Sequence, residues 1–400
     1  MKTITPHILL MALLALTAAS CTDDDSSLDT LIEESQALAA STSPKLNIVF
    51  SEAGAVVSGN KTDLVTVSGA HVVLVDTLSK DSLTITLSGN SNNGSLLVWR
   101  KRKYTIVLDN VTLTNPTGPA INNQRGKSLF VVCPDGTENA LSSGQAFNSQ
   151  DYDQKATLFS EGQVYLKGSG KLSVEANNVN AIASDDYLTI SGDIVLNVNS
   201  TATATNGLKA NDGIFINGGT TTIAVAAKGA RGIRSESVTV VTGGTTTITT
   251  TGDCLEEESV DDEGHPTSEF KSCACIKSDS TFTMTGGTLT MKSTGDGGKG
   301  LNCSQDITIS GGSLTAVTEG GNENSKPKAV KSDTAITISG GSLYAKTQKS
   351  WACDNGAETE EATDDEDEDE KADSEAYKKL TVVGTPSVCS IKKKEVTIAF

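Results

Sequence analysis

Aromatic side chains are scarce in this chain. Phe, Trp and Tyr together make up 4% of 400 residues, so a row of ring-stacking platforms cannot be assembled outside the short segment Trp99 to Tyr104. Histidine is nearly absent: of the three, His7 lies in the N-terminal apolar stretch, and His71 and His265 are far apart. Cys273-Ala274-Cys275 has a single intervening residue and no matching second pair, so zinc is excluded on spacing. Helical periodicity is missing throughout. The longest apolar run, Ile8 to Leu16, is too short to span a bilayer. Acids outnumber bases, 50 against 32, which argues against a nucleic-acid partner.

What is abundant is a repeat. LTISGDIVLNV begins at Leu188, IFINGGTTTIAV at Ile214, VTVVTGGTTTIT at Val238, FTMTGGTLTM at Phe282, ITISGGSLTAV at Ile307 and ITISGGSLYA at Ile336. The glycines Gly192, Gly218, Gly243, Gly286, Gly311 and Gly340 are spaced by 26, 25, 43, 25 and 29 residues, and the long step contains an acidic insert. Within each unit apolar and polar residues alternate, as in a strand with one buried face. The Gly-Gly step then lets the chain turn a corner. A second short strand precedes each corner: AIASD, GLKAND, GIRSE, CIKSD, GLNCS and AVKSD. A period near 25 residues is too short for a propeller blade and too uniform for a Greek key. The pattern predicts an all-β chain, a single-stranded parallel β-helix over residues 44–356, on the order of eleven or twelve rungs. Stacked Ile, Val, Leu and Ala fill its interior, and the strand spacing makes the rod roughly 50–60 Å long.

Residues 1–20 read as a secretory signal. Ala18-Ala19-Ser20-Cys21 resembles the lipobox of bacterial lipoproteins, which makes Cys21 the acylated residue and residues 21–43 a tether. Thr22-Asp23-Asp24-Asp25 resembles an acidic tag for outer-membrane surface display, and the expected location is the outer membrane, facing outward. The net charge of −18 is concentrated in two places. Ala357 to Ala376 carries twelve acids and one lysine, and Asp253 to Glu263 seven acids, leaving the coil near neutral. Residues 357–376 read as a self-repelling disordered loop, the insert at 253–272 as an extruded loop, and residues 377–400 as a last strand or cap. Cys254 and Cys273 bracket one acidic segment and Cys353 and Cys389 the other, consistent with two disulfides in an oxidising compartment. Cys275 and Cys303 read as small buried residues of the rungs.

YTIVLDNVTLTNPTGPAINN, NALSSG, ATLFSEGQVYLKGSGKLSV and the repeated G-[IL]-[KR] and I-x-I-x-G-G units resemble the bacterial carbohydrate-binding parallel β-helix family. The resemblance runs from Tyr104 to Gly356. It implies a fold similar to calcium-dependent polysaccharide lyases, binding of cellulose-like or pectin-like polymers, and bound calcium. The family's Gly-Asp-Gly rung turn is kept only in part, which makes Asp253, Asp296 and Asp354 the candidate metal ligands; Asn206 and Ala230-Arg231 stand at two other turns.

Lys209, Arg234, Lys277 and Lys331 occupy one slot of successive units and predict a basic ladder able to hold polyuronate carboxylates. The competing reading pairs them with Glu236, Asp279 and Asp333, two residues on. Trp99, Lys101 and Lys103 would share one side of a strand, setting an aromatic ring beside two charges. The expected protein is a monomeric, surface-anchored polysaccharide binder without catalysis. Its rivals are a calcium-dependent lyase, for which Arg231 and Arg234 beside Asp253 are the nearest catalytic set, and a structural or adhesive rod.

Overall fold

The computed structural model describes residues 44–260, 265–354 and 380–400. The segments expected to be the signal sequence and the tether, with Cys21, and the acidic segment 357–376 lie outside the described residues. The described chain has no α-helix. It is a β-solenoid of about 11 turns with roughly 25 residues per turn.

One turn shows how the repeat folds. Strands Asn206–Ala210, Gly213–Ile216 and Thr220–Val225 form three successive faces. Each pairs in parallel with its counterpart one turn on: Arg231–Ser235, Val238–Val241 and Thr245–Thr250. Strands of the first face make a 12-stranded sheet, and those of the other two belong to a 23-stranded sheet. The corner between second and third faces is the Gly-Gly step. Gly244 sits at a φ of 77°, and a Cβ there would lie 2.6 Å from the backbone of Gly218 one turn below. Only glycine meets both demands.

In-register pairing stacks like on like. Ile216, Val241, Met284, Ile309 and Ile338 form one inward column, each at most 1% exposed. Every such side chain contributes on the order of 1.5–3 kcal/mol by leaving water. The ends of the coil are closed by antiparallel strands. Gly54–Gly59 pairs back on Lys45–Ser51, and Glu395–Ala399 lies against Ser342–Thr347. These pairings block continued parallel stacking from the open strand edges.

The acidic insert is an ordered hairpin. Leu255–Val260 and Pro266–Lys271 pair as a separate two-stranded antiparallel sheet. The expected disulfides are not present: Cys254, Cys273, Cys353 and Cys389 are all free thiols. Cys254 Sγ donates to Asp296 Oδ2 at 3.6 Å, whereas Cys273 Sγ donates to the carbonyls of Ala227 and Asp253 at 3.3 and 3.4 Å. Cys353 is buried and Cys389 exposed. Burial pushes the Cys273 thiol up to about 11 and the Cys353 thiol up to about 12, so neither is a ready thiolate.

Candidate functional site

The first face carries two outward columns. Register places Ala183, Lys209, Arg234, Lys277, Asn302, Lys331 and Asp354 one above another. The four predicted cations therefore share a column, interrupted by Asn302. Two residues on, each turn presents Asn211, Glu236, Asp279, Ser304 or Asp333, whose backbone N–H groups bond to the preceding turn. The two columns neutralise each other. Lys209 pairs with Glu236 at 2.9 Å and Lys277 with Asp279 at 3.3 Å; Arg234 also pairs with Asp279, and Lys331 with Asp333. Lys277 Nζ donates in addition to Ser304 Oγ at 2.6 Å. Burial pushes the Asp279 carboxyl up, but the hydrogen bond and charge of Arg234, with Lys277, outweigh it and hold the group below its ordinary value.

A cavity of about 470 Å³ opens on this face, between the segment carrying Lys155 and the turns carrying Asn180, Asn206, Lys209, Arg231 and Arg234. Lys155 is held by Asp153 and Asp185 at 2.6 and 2.7 Å. Asn180 Oδ1 accepts from both Asn206 N and Asn206 Nδ2, at 2.9 and 2.7 Å. Arg231 is stacked on Asn206 from the next turn. Sequence reasoning ranked the Lys209 slot above Arg231. The signal that could have favoured Arg231 is its lack of an acid two residues on, where Ile233 stands.

The Trp99 reading requires correction. The strand ends at Arg100, and Lys101, Arg102 and Lys103 form the bend that follows, so Lys101 and Lys103 do not flank Trp99 along a strand. The cause is Arg100, buried to 1% exposure and bound to the Asp76 carboxylate and the Asp81 carbonyl. Trp99 instead packs edge-on to Tyr152, centroids 6.0 Å apart, with the Arg125 guanidinium 5.1 Å from its ring. The scarcity of aromatics also misled. Phe130 and Tyr165 stack at 4.9 Å and Tyr187 meets Phe215 at 5.7 Å, both on the second face. In the first of these pairs the rings face each other along the coil axis, so each occupies the other's stacking surface.

The candidate calcium aspartates are engaged by donors of the protein itself. Asp253 and Asp296 stack on adjacent turns, but Asp253 Oδ1 accepts Asp296 N at 2.9 Å. Both Asp296 oxygens accept backbone N–H groups, from Glu323 at 2.9 Å and Asn324 at 3.1 Å. Asp354 pairs with Lys328 at 2.6 Å. No group of three or more Asp, Glu, His or Cys converges among the described residues. Calcium takes six to eight oxygens, and this set does not fit it. Nor do Arg231, Arg234 and Asp253 form a lyase set: Arg234 is committed to Asp279 and Asp253 to a backbone amide.

Lys299, in the same register column as Arg231, is buried, with its ammonium on Ser272 Oγ, Ser325 Oγ and the Gly297 carbonyl. Burial, then the charges of Lys331 and Lys328, push its pKa down to about 8 from 10.5. Between these values the unfolded chain holds a proton that the folded chain lacks, so stability rises with pH across that window. Below pH 8 the full cost remains, about 3 kcal/mol. Lys299→Met should therefore raise the urea midpoint at pH 7 and lose that advantage near pH 10. Equal gains at both pH values would show that the amine is not desolvated.

The family described as carbohydrate-binding domain-containing protein matches residues 77–349. The chain belongs to this family. A carbohydrate-binding domain-containing protein of Acetivibrio thermocellus is 31% identical over 112 residues, 27% of this chain and 39% of the relative. The match thus spans about two-fifths of that relative's length. Among solved structures, the polysaccharide lyase-like protein from C. thermocellum, a gadolinium derivative, superposes with a TM-score of 0.51 at 25% identity, covering 66% of this chain and 96% of that one. The first face and its cavity fall largely within the matched carbohydrate-binding region.

Proposed function

We propose that this carbohydrate-binding protein holds an extended polysaccharide along the first face of its coil, without cleaving it. The observation that carries the reading is the straight run of polar columns from Lys209 to Asp354, in unbroken register, with a cavity at one end of it. A polymer repeats along its length, and so does this face. The cations favour a polyuronate over a neutral, cellulose-like chain, although most of them already have a carboxylate partner. The engagement of Arg234 with Asp279 and of Asp253 with a backbone amide supports binding rather than elimination chemistry. The N-terminal lipobox-like segment ending at Cys21 supports anchoring of the chain at the outer membrane surface.

The test is retention of the full chain on pectate and on cellulose, with calcium and with chelator, while ultraviolet absorbance reports unsaturated products. Retention without product formation is expected, with pectate favoured. Product formation would replace this reading with a lyase, and failure to bind either polymer would leave a structural or adhesive rod. Loss of binding in chelator would establish a metal requirement that the described aspartates do not supply. Fractionation of a Cys21→Ser chain with membranes would overturn the anchor.

A further inference from the structure

We propose that Arg231 is the receptor for one carboxylate of the bound polymer, and that this subsite, rather than the ladder of Lys209, Arg234, Lys277 and Lys331, sets the preference for acidic sugars. The inference rests on the polysaccharide-binding reading of this face.

The ladder is an unconvincing reader of carboxylates because its four cations are already engaged with three, Arg234 and Lys277 sharing Asp279. A new carboxylate would have to displace an acid of the protein, and exchanging one partner for another at these partly exposed pairs gains little. Arg231 differs. It is half-buried and lines the cavity, and its guanidinium makes no hydrogen bond or ion pair with any described residue. The acids nearest in charge are committed: Asp279 to Arg234 and Lys277, and Glu257 to Lys271. Arginine presents five N–H donors in a rigid fork, and leaving them half-desolvated without an acceptor is unfavourable. A carboxylate in the cavity satisfies two of them at once, in the bidentate geometry that lysine cannot reproduce.

The slot is also singular. The turn below places Asn206 in register with Arg231, and the turn above places Ala274. The next residues in that column, Lys299 and Lys328, are turned to hydroxyls and to Asp354. Arg231 is therefore an isolated receptor, matched to one sugar residue. Asn206 lines the same cavity, 7% exposed, and its Oδ1 has no donor. Its Nδ2 is spent on Asn180 and its unpartnered oxygen is closed off from solvent, so Arg231 is the group of this pair that reads the sugar. Lys209 and Glu236, which also line the cavity, cancel each other, and Arg234 is held by Asp279, so Arg231 carries the uncompensated charge of the site.

The experiment compares full-chain wild type, Arg231→Gln and Arg231→Lys for binding to polygalacturonate, to the same polymer fully methyl-esterified, and to hydroxyethyl cellulose. Wild type should favour the acid over its ester. Arg231→Gln should lower affinity for polygalacturonate by about tenfold or more, as for a charge-assisted hydrogen bond, and leave both uncharged polymers unchanged. Arg231→Lys, which keeps the charge, should recover only part of the loss. An acid-to-ester ratio that is the same in all three proteins would overturn the receptor role. So would a loss shared equally by all polymers, which is what a merely structural residue would give. If wild type binds none of the three, the polysaccharide reading itself falls, and that result is distinct from a wild type that binds but whose preference ignores residue 231.

Discussion

Replacing Asp76 by alanine should cost about 3–5 kcal/mol of stability, the penalty for leaving a buried charge without its partner. Arg100 and Asp76 face each other on adjacent turns of the first face, 1% and 4% exposed. The guanidinium donates to the Asp76 carboxylate and the Asp81 carbonyl, and its Nε has no partner even in the intact protein. Asp76 also accepts Ser79 N at 3.0 Å, which fixes the corner after its strand. Alanine would remove the counter-charge and that turn anchor together. Urea unfolding followed by circular dichroism should show the midpoint falling steeply in Asp76→Ala. The double change Asp76→Leu with Arg100→Met should recover much of the loss, because two apolar groups need no partner. A single variant within about 1 kcal/mol of wild type would mean that water reaches Arg100.

Gly295→Ala should be comparably damaging, for a purely steric reason. A Cβ on Gly295 would lie 1.8 Å from the Gly252 carbonyl oxygen one turn below, and a Cβ on Gly320 would lie 1.8 Å from the Gly295 oxygen. The obstacle to the Gly295 methyl is backbone, Gly252 and the Asp253 nitrogen, so relief requires separating turns that are hydrogen-bonded along three faces. The expected loss is about 3 kcal/mol or more, at the upper end for overpacking. Gly126→Ala is the control: its nearest neighbour would be the Glu161 oxygen at 3.9 Å, and the change should fall within about 0.5 kcal/mol. Similar melting curves for the two variants would show that the turns are not packed this closely. The same close approach explains the glycine that opens the Gly295-Asp296-Gly297 turn. Gly295 permits the close approach, and Asp296 spends its oxygens on the backbone amides of Glu323 and Asn324.

Much of the architecture was legible because a solenoid is nearly one-dimensional. Each turn of roughly 25 residues contacts only its neighbours, so a fixed sequence period becomes a fixed spatial stack. The Lys209, Arg234, Lys277 and Lys331 slot became a physical column for that reason. The contacts across that column were less legible. Whether a lysine points to solvent or to an acid two residues on depends on side-chain reach around a corner, which periodicity does not encode. The same holds for Trp99: alternation placed Lys101 beside it, while the buried Asp76–Arg100 pair ended the strand first.

The sequence by itself determined the coil, its period, its apolar columns and the glycine corners, since alternation and Gly-Gly spacing are local properties repeated in register. Only the tertiary structure decided which charges are cancelled, that the acidic insert is a hairpin, that the bracketing cysteines are free thiols, and that Arg231 is left over in a cavity. Those outcomes depend on what lies across a turn or beneath a neighbouring segment, and distance in space between residues on different columns is not written in the repeat.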